Sequence, residues 1–111
     1  MPAESKILFA VSFSLLILTS AIGAVGKDYT SDYWVQRGDE FFQRQSFWIS
    51  LECYNKSLEL DGTNASVWMK KGQAYSGLNR YEDALSAYNE SISLDSHLAE
   101  AWYSKGLAMA H

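Results

Sequence analysis

Residues 65–98 read ASVWMKKGQAYSGLNRYEDALSAYNESISLDSHL, and the residues on either side repeat the same pattern. Tryptophan recurs with one constant spacing, at Trp34, Trp68 and Trp102, and a glycine stands one helical turn after each of them. Residues 31–64 and 65–98 are identical at eight of 34 positions, whereas unrelated sequences would share about two. Residues 99–111 begin a third copy. The sequence therefore predicts about two and a half units of one 34-residue repeat.

The spacing of apolar residues within a unit predicts two helices. In the first half, Trp68, Gly72 and Tyr75 stand at i, i+4 and i+7, which is one face of a helix. In the second half, Leu85 and Tyr88 begin a similar stripe. A glycine inside a helix costs about 1 kcal/mol relative to alanine, so its recurrence predicts that a neighbouring helix packs closely there. The predicted repeat-packing residues are Trp34, Gly38, Trp68, Gly72, Trp102 and Gly106.

These residues resemble the tetratricopeptide repeat family. Its pattern is tryptophan, glycine and an aromatic residue in the first helix, then small, aromatic and small residues in the second, here Ala84, Tyr88 and Ser91. A turn between the two helices is predicted at Asn79-Arg80. The resemblance covers Ser31–His111 and implies an all-α solenoid of antiparallel helix pairs. One departure from the family is a basic residue just before each glycine: Arg37, Lys71 and Lys105.

An uncharged apolar run precedes the repeats. The twenty residues from Ile7 to Gly26 carry no charge, and Lys6 is the only basic residue before them. Small residues at Ala24 and Gly26 are typical of a signal-peptide cleavage site. About 20 apolar residues also span a bilayer, so an uncleaved membrane anchor is the alternative. We expect residues 1–26 to be a signal peptide or anchor, residues 27–30 a linker, and the repeats to lie outside the cytoplasm as a secreted or membrane-anchored domain.

Composition excludes several classes of function. The net charge is −4, without the clustered lysine and arginine that nucleic-acid binding requires. Cys53 is the single cysteine, so neither an intramolecular disulfide nor a cysteine metal cluster can form. The two histidines, His97 and His111, belong to no recognisable catalytic or metal-ligand motif. We expect no enzyme activity, no catalytic or metal-binding residues and no cofactor.

The candidate binding surface lies one residue's rotation, about 100°, from the Trp–Gly face of each first helix. Solenoids bind partners on their inner, concave surface, and the resemblance implies the same for extended peptides. The family's clamp for acidic chain ends uses lysines and asparagines, which this stripe lacks. Because the stripe carries Asp32, Asp39 and Glu100 and no lysine or arginine, we expect a partner segment that is apolar or basic rather than acidic. The predicted partner-binding residues are Val35, Asp39, Phe42, Met69, Gln73, Tyr103 and Leu107.

Two functions remain open at this stage. The first is an exported or membrane-anchored scaffold that binds another protein or peptide segment in its concave groove. The second is an N-terminal targeting-and-docking fragment of a larger envelope protein or enzyme, since Ala99–His111 reads as a helix without its partner. That uncovered helix also predicts a marginal monomer or self-association through the partial repeat. Asn64 lies in the one acceptor sequon placed in a loop, and the sequence leaves its glycosylation open.

Overall fold

The computed structural model describes residues 29–111, and within them every regular element is an α-helix. The first helices of successive pairs begin at the same position of the repeat, at Ser31, Ala65 and Ala99. Each helix packs against the next along the chain, and the third also contacts the fifth. The predicted all-α helical repeat is confirmed for this part of the chain. The helices are α1 (Ser31–Gln43), α2 (Phe47–Leu60), α3 (Ala65–Gly77), α4 (Tyr81–Leu94) and α5 (Ala99–Met109).

The turns inside the two helix pairs have the same backbone geometry. Asn79 has φ 60°, and Gln45, at the same position of the preceding unit, has φ 61°. Asparagine tolerates this left-handed region better than most residues, and the turn predicted at Asn79-Arg80 is confirmed. Glutamine carries no such signal, so the equivalent turn at Gln45 could not be predicted from its own residues. The backbone N–H of Arg80 donates to the carbonyl of Tyr75 across the turn, at 2.9 Å.

A tyrosine ring lies against the glycine in each complete pair. A Cβ atom placed on Gly38 would lie 2.5 Å from Cε1 of Tyr54, and one on Gly72 would lie 2.5 Å from Cε1 of Tyr88. Both distances are far shorter than carbon atoms tolerate. The predicted close approach is therefore confirmed at these two positions, with a tyrosine ring as the contacting group. At Gly106 no atom lies within 4 Å of such a Cβ, so no close packing partner for it exists among residues 29–111.

Small residues of the second helices carry hydrogen bonds between the helices. Ser50 is fully buried, and its hydroxyl donates to the carbonyl of Gly38 at 2.9 Å. The hydroxyl of Ser91 donates to the carbonyl of Ala65 at 2.7 Å. A buried hydroxyl is costly without such a partner. A larger apolar side chain at Ser50 would both lose the bond and meet the facing helix, which explains the small residue there.

The repeat tryptophans are not core residues, which corrects the expectation that they pack inside the stack. Trp102 is 50% exposed and Trp68 is half-buried. The indole N–H of Trp68 donates to the carbonyl of Gly62 at 2.8 Å, and that of Trp102 donates to the carbonyl of Ser96 at 2.9 Å. Each of these two tryptophans therefore stabilises the turn that precedes its own helix through a hydrogen bond to a backbone carbonyl.

Basic residues before the glycines stack on these tryptophans. The ammonium of Lys71 lies 4.8 Å from the ring centroid of Trp68, and that of Lys105 lies 5.5 Å from the ring centroid of Trp102. Partial burial lowers the pKa of Lys71 below its ordinary value. The cation–π geometry explains why lysine is accommodated where the family commonly has an apolar residue.

The apolar run at residues 7–26 lies outside the described residues, as do the expected cleavage sites and linker. Among the helices that the structure describes, none has the length and hydropathy needed to cross a membrane.

Candidate functional site

One groove runs along the side of the molecule where α1, α3 and α5 face the same way. Its volume is about 600 Å³, within the usual range for a ligand pocket. On its α5 side, Tyr103 is 68% exposed and Leu107 is 52% exposed. We call it the inner groove, and it is lined by Phe42, Gln73, Ser76, Gly77, Tyr81, Tyr88, Glu100, Tyr103, Ser104, Leu107, Ala108 and His111.

Four of the predicted partner-binding residues meet in the inner groove. Phe42 comes from α1, Gln73 from α3, and Tyr103 and Leu107 from α5. The side-chain amide of Gln73 donates to the carboxylate of Glu100 at 3.2 Å, and this exposed bond joins α3 to α5. The groove therefore combines exposed apolar side chains with a few polar groups, as peptide-binding surfaces do.

Two other predicted residues are covered by their neighbours. Met69 is only 4% exposed, because it packs with Ala101 and Ala108 of α5. Val35 is half-buried against the cluster that contains Val67. The expectation that Met69 faces a partner is therefore wrong, and Val35 contributes mainly to the core. The same repeat position becomes exposed only at Tyr103, which has no further first helix beside it among the described residues.

Asp39 is engaged by the protein itself. One carboxylate oxygen accepts a hydrogen bond from the Tyr54 hydroxyl at 2.6 Å, and the other lies 2.7 Å from the ammonium of Lys70. Burial, together with this bond to Asp39, raises the pKa of Tyr54 well above its ordinary value. Asp39 does not line the inner groove, so the structure contradicts its expected role as a free charge on the binding surface.

Several groove residues were missed in the sequence. Tyr81 and Tyr88 reach the groove from α4, and His111 follows α5 with its ring stacked on Tyr81 at 4.3 Å. The stripe on the first helices could not reveal residues that enter from a second helix.

Lys70, the ion-pair partner of Asp39, was also missed, because it stands one residue outside that stripe. Its opposite charge to Asp39, on the neighbouring first helix, is the signal that could have found it.

No cluster of three or more histidine, cysteine, aspartate or glutamate side chains suited to a metal ion occurs among residues 29–111. Cys53 is buried, and burial raises the pKa of its thiol above the ordinary value. A thiol of this kind is a poor nucleophile. The inner groove presents apolar, hydroxyl and amide groups to another molecule.

Comparison with known proteins identifies the repeat. The tetratricopeptide repeat family model matches residues 65–98. This match and the similar solved structures support a tetratricopeptide repeat in this part of the chain. The chain is also similar to solved structures. The second TPR of Spaghetti (RPAP3), bound to the HSP90 peptide SRMEEVD, is 26% identical over 79% of this chain and 82% of that chain, with a TM-score of 0.72. A comparison with curated proteins finds no match.

Two further structures show the same fold. The first TPR of Spaghetti (RPAP3), bound to the same peptide, is 21% identical over 73% of this chain, with a TM-score of 0.72, and this chain spans 64% of its length. The second TPR domain of human RPAP3, in complex with the HSP70 peptide SGPTIEEVD, is 26% identical over 72% of this chain and 70% of that chain, with a TM-score of 0.67.

The bound peptides in these structures correct one expectation. SRMEEVD and SGPTIEEVD both end in acidic EEVD, which contradicts the preference for an apolar or basic partner that the stripe predicted. The physical reason lies in Asp39, whose charge is matched by Lys70 at 2.7 Å. Asp39 is therefore not the unpaired negative charge on which the expected preference depended.

Proposed function

We propose that the chain is a protein-interaction scaffold that holds a segment of another polypeptide in the inner groove. The observation that carries this proposal is the exposure of Tyr103 and Leu107 beside Phe42 and Gln73 in one open groove. Exposed aromatic and aliphatic side chains that converge in a cleft are typical anchors for a peptide. The peptide complexes of similar TPR structures support the same interpretation.

The groove favours a peptide with at least one large side chain. Phe42 and Leu107 both line it and would contact such a side chain, and the hydrogen-bonded pair Gln73 and Glu100 lines it as well. The hydroxyl of Ser76 lies 3.2 Å from that of the buried Tyr88, and the half-buried Ser76 can also bond to a peptide backbone. The rim charge is small, because Glu100 supplies the only carboxylate side chain among the described residues that line the groove.

We further propose that residues 1–26 deliver the repeats to or across a membrane. The support is the uncharged run at residues 7–26 behind the single basic residue Lys6. In this proposal the groove meets its partner outside the cytoplasm, with the scaffold either secreted or held at the membrane surface.

A peptide selection tests the binding proposal. A displayed library of random dodecapeptides, with SRMEEVD and SGPTIEEVD included, is panned against the purified chain. The tightest peptide is then titrated into isotopically labelled protein and followed by NMR. We expect the largest shifts at Gln73, Tyr103 and Leu107. Shifts confined to the opposite surface, at Trp68 and Glu90 for example, or failure to select any peptide, would contradict the proposal.

A further inference from the structure

The end of the repeat at which α1 begins carries large side chains that remain partly open to solvent. The rings of Tyr29 and Tyr33 are stacked with their centroids 4.1 Å apart, and both side chains are half-buried. Leu60, the last residue of α2, is 57% exposed. The hydroxyls of Ser31 and Ser57 lie 2.7 Å apart, so the start of α1 and the end of α2 are at the same level. Tyr29, Tyr33 and Leu60 therefore belong to one edge of the molecule, which we call the entry edge.

The exposure of Leu60 is a property of this edge and not of a missing neighbour. Both helices that adjoin α2 along the chain, α1 and α3, pack against it. Leu94 holds the same repeat position at the end of α4 and is 39% exposed. Single exposed leucines are ordinary on protein surfaces, whereas aromatic and aliphatic side chains that share one edge indicate contact with another surface.

The order of the chain indicates which surface the entry edge meets. The uncharged run at residues 7–26 ends three residues before Tyr29, and three residues span at most about 11 Å. A bilayer that holds this run would therefore lie next to the entry edge. Tyrosine and tryptophan are enriched where hydrocarbon meets water, because their rings are apolar and their tips are polar. The exposed Lys56, whose ammonium lies 5.5 Å from the ring centroid of Trp34, can reach lipid phosphates from the same edge.

The charges near the entry edge indicate the class of lipid. Asp32, Glu59 and Asp61 are exposed there together with Lys56, so these acids outnumber the lysine. An anionic bilayer attracts basic segments and would repel these carboxylates. A zwitterionic headgroup offers both a phosphate for the lysine and a cationic group for the acids. The edge therefore fits neutral, zwitterionic lipid better than anionic lipid.

We propose that the entry edge lies on a bilayer of zwitterionic lipid, with Tyr29, Tyr33 and Leu60 among the headgroups. The proposal rests on the delivery of the repeats to a membrane by residues 1–26, and it adds an orientation. In that orientation α1 points away from the bilayer, and its 13 residues span about 20 Å. Ile49, exposed at the start of α2, then lies at the opposite edge and away from lipid.

The test uses the full chain in vesicles of phosphatidylcholine that include a lipid with a nitroxide on its headgroup. A fluorescent label is attached at Leu60→Cys in a chain whose native thiol is removed by Cys53→Ala, since Ala87 holds that repeat position in the next unit. The matched control is Ile49→Cys, because Ile49 is 48% exposed. We expect the nitroxide to quench the label at position 60 roughly threefold more strongly, because about 20 Å separates the two edges.

Flotation of the vesicles on a density gradient reports separately whether the chain is bound to the membrane. In a chain that floats, equal quenching at positions 49 and 60, or none at either, would overturn the orientation and leave the membrane delivery intact. A chain that does not float would overturn both. Replacing part of the lipid with anionic phosphatidylglycerol should weaken the quenching at position 60. Unchanged or stronger quenching in those vesicles would overturn the assignment to zwitterionic lipid.

Discussion

The ring of Tyr54 lies on Gly38 and its hydroxyl donates to Asp39, the next residue along α1, at 2.6 Å. One side chain thus joins the two helices of the first pair by a contact that only glycine permits and by a charge-assisted hydrogen bond. Tyr88 makes the equivalent contact with Gly72, and its hydroxyl is paired with that of Ser76 at 3.2 Å. The stability of each unit therefore depends on a glycine and a tyrosine from different helices.

Alanine substitutions at two equivalent glycines should have opposite effects on stability. Alanine favours a helix by about 1 kcal/mol over glycine, but overpacking a core costs about 1–3 kcal/mol. Gly72→Ala should therefore lower the free energy of unfolding by roughly 1 kcal/mol, since its Cβ meets Tyr88. Gly106→Ala should raise it by about 0.5–1 kcal/mol. Urea unfolding of both variants checks this, and a stabilised Gly72→Ala would contradict the packing described here.

Alkaline pH should destabilise the protein partly through Tyr54. Burial and the bond to Asp39 raise its pKa in the native state, so the native chain keeps a proton that the unfolded chain loses. The stability from neutral Tyr54 is fully present below about pH 10, the ordinary pKa of tyrosine, and is lost as the pH rises further.

The free energy of unfolding is measured by urea denaturation at about pH 8 and at about pH 10.5. Tyr54→Phe should show a smaller loss of unfolding free energy between the two pH values than the wild type does. Part of the loss should remain, because burial also raises the pKa of Tyr88. Tyr103→Phe, at an exposed position, is the matched control and should lose as much as wild type. Equal losses in Tyr54→Phe and wild type would be inconsistent with a buried, neutral Tyr54.

Asp39→Asn should act on stability rather than on binding. The carboxylate accepts from Tyr54 and pairs with Lys70, and hydrogen bonds to charged groups contribute about 1.5–3 kcal/mol. Because the ion pair is partly exposed, we expect a loss of about 1 kcal/mol. Peptide affinity, measured at low and high salt, should remain at the wild-type value. A salt-dependent change in peptide affinity with unchanged stability would contradict this and would place Asp39 on the binding surface.

Export can be measured without knowledge of the partner. A reporter enzyme that is active only outside the cytoplasm, fused after His111, should be active, because residues 7–26 are uncharged and follow a single lysine. Mass spectrometry of the purified chain distinguishes cleavage after Ala24 or Gly26 from retention. A matched fusion that lacks residues 1–26 is the control and should be inactive. Equal activity of the two fusions would argue against a targeting role.

The sequence predicted the repeat more completely than the binding surface. The 34-residue period and the Trp–Gly spacing follow from each unit alone, and they located the helices and the close packing at Gly38 and Gly72. The inner groove depends on how units lie beside one another. Met69 is buried by α5, and Asp39 is neutralised by Lys70 of the next unit. A helical wheel drawn for one helix contains neither α5 nor Lys70. The wheel therefore assigned Met69 and Asp39 to the binding surface.

The direct test of the central claim is the affinity of the selected peptide for matched groove and control variants. Tyr103→Ala and Leu107→Ala remove exposed groove side chains, and Leu60→Ala removes one that is 57% exposed on α2, outside the groove. Anchor side chains contribute more than about 1 kcal/mol each. We predict that at least one groove variant binds about fivefold or more weakly, while Leu60→Ala binds like wild type. Wild-type affinity in both groove variants, or an equal loss in Leu60→Ala, would contradict the inner groove as the binding site.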